Sequence, residues 1–95
     1  MKTGIGAVWN AQANNPYYRI RELTLPALTS TGLQRLEFKT TFLSHTAGRL
    51  LIKSQDKEQD RHIVPGQTIE FETGVEGEVV NMTDRELRFT VTEFK

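Results

Sequence analysis

The sequence predicts an all-β domain, a single small antiparallel β-sandwich of the immunoglobulin-like or jelly-roll-like kind with about seven strands, or alternatively a small β-barrel. Three observations predict it: apolar residues recur with period two in several runs, turn residues interrupt the chain at intervals of about ten residues, and nowhere is a helical period sustained. The clearest run is Leu33–Leu43, where Leu36, Phe38, Thr40 and Phe42 fall on one side of an extended backbone and Arg35, Glu37, Lys39 and Thr41 on the other. A helix would scatter those apolar side chains around its circumference. One strand cannot bury its own apolar face, so the remaining strands must supply the opposite layer.

Taken in order, residues 1–16 read as an extended N-terminal arm of small and amide side chains around a short apolar knot, Ile5, Val8 and Trp9. Asn14-Asn15-Pro16 is a turn signal that separates the arm from a sandwich domain over residues 17–95. Tyr17–Leu25 follows as the first strand, with Tyr18 and Ile20 on one parity and Leu23 and Leu25 on the other. That slip around Arg21-Glu22 predicts a β-bulge or a passage between sheets. Pro26 ends the ladder because it has no amide hydrogen to donate. After the turn Thr29–Gly32 come the Leu33–Leu43 strand, a turn at His45–Gly48 and a short apolar strand, Arg49–Lys53.

Ser54–Arg61 is the most polar run and reads as a solvated hairpin connection, followed by a brief strand His62–Val64. Pro65-Gly66 predicts a type II turn, since proline presets the first corner and glycine accepts positive φ at the second. Gln67–Glu72 then alternates with Ile69 and Phe71 inward, Glu78–Met82 runs extended, and Glu86–Phe94 closes the chain with Leu87, Phe89 and Val91 on one face. A hairpin closing around Gly74-Val75 would bring Glu72 and Glu78 together, an unfavourable pair unless a cation relieves it.

Composition narrows the function classes. The chain has 95 residues, room for one modest core, and no cysteine, which rules out disulfides, thiolate metal sites and a cysteine nucleophile. The Met1–Asn15 segment carries one charge, Lys2, and no apolar stretch long enough for a signal peptide. A cytoplasmic protein, or one in a particle assembled in the cytoplasm, is expected, with no membrane span. The net charge is zero, with 12 basic and 12 acidic residues, which disfavours a dedicated nucleic-acid binder. Residues 1–53 hold seven Lys or Arg against two Glu, a balance of +5, and residues 54–95 hold five against ten, a balance of −5. Complementary pairing across strands within one molecule is the preferred reading of that asymmetry.

No constellation fixes a chemistry. Asp56, Glu58 and Asp60 alternate beside His62, but the glycine and distal glutamate of an EF-hand loop are missing, so no metal is assigned. His45 and His62 are the only histidines and lie in different turns, and no serine is flanked by a nucleophile motif. No catalytic residue and no cofactor is therefore expected, and the protein is read as a non-enzyme. Trp9 either folds back on the sandwich or, with Ile5 and Val8, anchors the arm on a protein partner. The reading reached is a structural interaction domain that binds copies of itself or a larger assembly, such as a viral or phage particle, through its arm and exposed strand edges. The alternative is a ligand-binding module in which Trp9, Tyr17, Tyr18, Arg19 and Arg21 contact carbohydrate or single-stranded nucleic acid.

Overall fold

The computed structural model describes residues 4–55 and 57–95, and among them it contains strands and turns but no helix. There are eleven strands: β1 (Gly4–Ile5), β2 (Val8–Asn14), β3 (Tyr18–Leu25), β4 (Thr29–Ser30), β5 (Gln34–Arg35), β6 (Lys39–Ser44), β7 (Gly48–Ser54), β8 (Lys57–Ile63), β9 (Thr68–Phe71), β10 (Glu76–Asn81) and β11 (Leu87–Phe94). They form two sheets. One runs in the order β1-β4-β10-β7-β8 with β5 also pairing β10, and the other runs β2-β3-β11-β6-β9. All pairings are antiparallel except β1 with β4. The expected count of about seven is exceeded because β1, β4 and β5 are two-residue pieces, left where the chain bends from one sheet to the other.

The core lies between the sheets. Leu23, Leu25, Phe42, Ile69, Phe71, Leu87, Phe89 and Val91 come from the second sheet and Leu50, Ile52, Ile63 and Val79 from the first. Phe42 sits at its centre, edge-on to Phe71 and Phe89 with ring centroids 5.6 and 6.0 Å away. Burial alternates with period two on β6, the second half of the clearest run, and on β9 and β11. The Val64–Gln67 turn closes by a 3.1 Å bond from the Gln67 amide to the Val64 carbonyl, with Gly66 at φ +91°.

Several expectations are corrected. The Leu33–Leu43 run is two strands, because the chain leaves the first sheet after β5 and enters the second at β6, turning through Leu36–Phe38. Residues 8–14 of the expected arm form β2, the edge strand beside β3. One face of an edge strand meets water, which is why no clean period shows there. The expected slip within Tyr17–Leu25 lies in its neighbour: β2 is irregular between Ala11 and Ala13, while β3 pairs β11 without interruption from Leu25↔Leu87 to Tyr18↔Phe94. Most of the polar run Ser54–Arg61 is strand, since β8 pairs β7 from Gly48↔Ile63 to Ser54↔Lys57. The side chains from Lys57 to Asp60 are exposed, as suits a strand at the edge of its sheet. Glu72 and Glu78 do not face each other, because β9 and β10 belong to different sheets. Glu78 instead accepts a hydrogen bond from Ser30 and lies 4.0 Å from Lys53.

Candidate functional site: the polar mouth between the sheets

The interior changes character along its length. On β3 the inward positions read Leu25, Leu23, Arg21, Arg19, and opposite them on β11 stand Leu87, Phe89, Val91, Glu93. The first two layers are apolar, and the last is an ion cluster. Arg19 Nε and Nη2 donate to the two Glu93 carboxylate oxygens at 2.9 and 2.7 Å, and Arg21 Nη2 donates to Oε1 at 2.9 Å. Glu93 is only 5% exposed, so three charge-assisted hydrogen bonds offset its loss of water.

Trp9 is brought over this cluster by the pairing of β2 with β3, which sets it opposite Leu23. The Arg21 guanidinium carbon lies 4.2 Å from the centroid of the indole, a cation–π contact, and the ring meets Phe42 edge-on at 6.4 Å. Arg21 Nε is buried without a hydrogen-bond acceptor. Burial holds the Arg21 guanidinium below its ordinary value, against the opposing pull of Glu93.

The bend between β5 and β6 forms the opposite wall. Leu36 is pinned to the turn after β9, its amide donating to the Val75 carbonyl at 2.8 Å and its carbonyl accepting from the Gly74 amide at 2.7 Å. Gly74 adopts φ +83°, a conformation that suits glycine in this turn. Between this bend and the ion cluster lies a cavity of about 340 Å³, edged by Arg19, Arg21 and Glu93 on one side and Arg35, Leu36 and Phe38 on the other.

The sequence-derived candidates separate. Trp9, Arg19 and Arg21 gather at the mouth, whereas Tyr18 takes the outward parity of β3 and Tyr17 is 77% exposed before it. Val8 is exposed on β2, and Ile5 pairs with Ser30 through β1, its side chain lying outside the described residues. Glu93, Arg35, Leu36 and Phe38 were not singled out from the sequence as site residues. The available signal was parity: Glu93 continues the file of Leu87, Phe89 and Val91, as Arg19 and Arg21 continue that of Leu23 and Leu25.

Other polar clusters lie on the surface. His45 Nε2 is 2.5 Å from Thr90 Oγ1, which donates to Glu22 at 2.8 Å, all on the outer side of the second sheet. A larger groove of about 540 Å³ runs past Arg49, His62, Thr83 and Arg85, but it is open to solvent and Arg49 is already bound to Asp60. Asp56 lies outside the described residues; among those described, no group of three or more His, Cys, Asp or Glu is placed to hold a metal ion. Two arginines around one carboxylate are likewise no cation site. Among the described residues no helix is long and apolar enough to cross a membrane.

Neither a protein-family profile nor a curated protein sequence matches the chain. Solved structures do. A cupin domain from Bordetella pertussis Tohama I superposes with a TM-score of 0.87 at 27% identity, over 100% of this chain and 98% of that one. The chain shares the cupin fold. An RmlC-like cupin family protein with a double-stranded β-helix fold from Methanocaldococcus jannaschii matches at TM-score 0.81 and 15% identity, over 94% of this chain and 80% of its own. A cupin superfamily protein from Desulfitobacterium hafniense matches at 0.77 and 13%, over 99% and 82%.

These matches overturn the reading of the protein as a structural interaction domain that binds copies of itself or a larger assembly, such as a viral or phage particle, through its arm and strand edges. A cupin-fold domain accounts for the full length of the chain. Of the features that suggested assembly, Trp9 is engaged internally, on Arg21 and Phe42, whereas Val8 and the edge strand β8 are exposed; the charge asymmetry is answered within the molecule, as expected, by Arg19–Glu93, Arg21–Glu93, Arg49–Asp60 and Lys53–Glu78.

Proposed function

We propose that this cupin-fold domain is a non-enzymatic binding module that takes a small organic molecule into the mouth between its sheets. The observation that carries the reading is the polar layer of Arg19, Arg21 and Glu93 facing a cavity of about 340 Å³ at one end of the apolar core between the sheets. Ligand sites are concave, with a few convergent polar groups set among apolar walls, and volumes of about 300–1,000 Å³ are usual. The arrangement supports binding rather than catalysis because its one buried carboxylate is already engaged by two guanidinium groups through three hydrogen bonds, which leaves it poorly placed to exchange a proton with a ligand.

The test is a fragment screen followed by nuclear magnetic resonance on the uniformly labelled full chain. Binders are expected to shift the Trp9 indole, the Arg19 and Arg21 Nε resonances and the amides of residues 34–38 together. Shifts confined to the groove beside Arg49 and His62, or no binders at all, would remove the mouth as the site.

A further inference from the structure

We propose that the mouth selects small organic carboxylates carrying an apolar body; this rests on the mouth being the binding site and specifies the chemistry of what enters it. The side chains around the cavity are unbalanced: Arg19, Arg21, Arg35 and Lys95 face Glu37 and Glu93, a formal side-chain charge of +2. Glu93, already counted in that balance, engages only part of the hydrogen-bonding edge of these cations. It occupies the Nε and Nη2 edge of Arg19 and a single nitrogen of Arg21, and among the described residues Arg35 enters no ion pair. Partly desolvated cations lacking a full complement of acceptors attract an oxyanion, and the guanidinium fork matches the planar geometry of a carboxylate.

Glu93 itself displays the recognition. A carboxylate at this layer is bound by two guanidinium groups at 2.7 to 2.9 Å while the cation of Arg21 rests on the Trp9 ring. A second carboxylate beside it would meet the remaining nitrogens of Arg21 and the exposed fork of Arg35. The opposite wall says what the rest of the ligand is. Leu36 packs against the core and Phe38 is half-buried beside it, so they give a mostly polar lining, which includes Gln34, Arg35 and Glu37, one apolar strip on which an organic body can lie and which an inorganic ion would leave wet. The volume, about 340 Å³, also exceeds what a bare oxyanion fills.

The experiment is calorimetric titration of the full chain with matched pairs, benzoate against benzamide and isobutyrate against isobutyramide, with inorganic phosphate and a neutral monosaccharide as further arms at one ionic strength. Emission of Trp9, the single tryptophan, reports occupancy of the mouth independently. Each carboxylate is expected to bind at least about tenfold more tightly than its amide and to weaken as salt is raised. Arg35→Gln, on the exposed two-residue strand where loss of the side chain leaves the core intact, should cost the acids about tenfold and leave the amides unchanged. Amides binding as tightly as acids would overturn the carboxylate assignment and leave the binding mouth standing. Phosphate or the monosaccharide binding more tightly than either acid would overturn it in the same way. Silence of Trp9 and of the heat signal with every probe would overturn both.

Discussion

Arg19 and Glu93 stand directly opposite each other on β3 and β11 and are joined by two parallel hydrogen bonds, Nε to Oε1 at 2.9 Å and Nη2 to Oε2 at 2.7 Å. The pair sits at the inward position next beyond Val91, so it marks where the core gives way to the mouth. A buried carboxylate of this kind is weak evidence for net stability, but removing one partner leaves charge without its complement.

Glu93→Gln is therefore expected to destabilise the fold by about 2 kcal/mol, below the 3–5 typical of fully buried pairs because the Arg19 side chain keeps 37% of its exposure. Urea denaturation measures it. The Arg49–Asp60 pair, with both side chains about half exposed, provides the contrast: Asp60→Asn should leave the midpoint within error.

Asp60 nevertheless has a readable titration. Its hydrogen bond from Arg49 holds the carboxyl below its ordinary 3.8, against a smaller cost of burial. A depressed carboxylate contributes stability that is present above the unfolded value and lost as pH falls through the folded one. The side-chain carboxyl carbon of Asp60 should titrate below its ordinary value, and Arg49→Gln should raise it. A normal titration in the unmodified protein would show that the pair does not persist in solution.

Asn81 is completely buried on β10 and ties three segments together. Its Nδ2 donates to the carbonyls of Leu25, Pro26 and Arg85 at 3.0, 3.1 and 2.7 Å, while Oδ1 accepts from the Thr83 amide and hydroxyl. Asn81→Leu keeps the volume and strands those carbonyls, at a cost of about 3 kcal/mol. Differential scanning calorimetry should show it as a lowered Tm.

Gly77 lies under the Phe71 ring, where an added Cβ would come within 2.8 Å of Cε1. Phe71 is buried against Phe42 and has little room to retreat. Gly77→Ala should cost about 1–3 kcal/mol by overpacking. Val75→Ala, at a half-buried neighbour in the same turn, should cost less than the glycine substitution in the same denaturation assay.

The candidate site was half legible. Trp9, Arg19 and Arg21 drew notice as an aromatic and cationic group, but Tyr17 and Tyr18 were placed with them because nearness in sequence says nothing about which face of a strand a side chain takes. Adjacent residues point opposite ways, and β3 sends Arg19 and Arg21 inward and Tyr18 outward. Nothing local marks Glu93 as buried, since a charged residue at the end of an apolar file most simply marks where burial ends. Here its partners, more than seventy positions away in the chain, make burial tolerable.

Local sequence was sufficient for the all-β class, through alternation for the strands at Gln67–Glu72 and Glu86–Phe94, through a short apolar run for Arg49–Lys53, and through proline and glycine preference for the Pro65-Gly66 turn, because each depends on a few adjacent residues. Only the tertiary structure decided which sheet each strand joins, why Leu33–Leu43 breaks at the mouth, and how the edge strand β2 carries Trp9 over Arg21. Those outcomes depend on pairings between distant segments, whose free energy comes from burying two faces together and is not a property of either face alone.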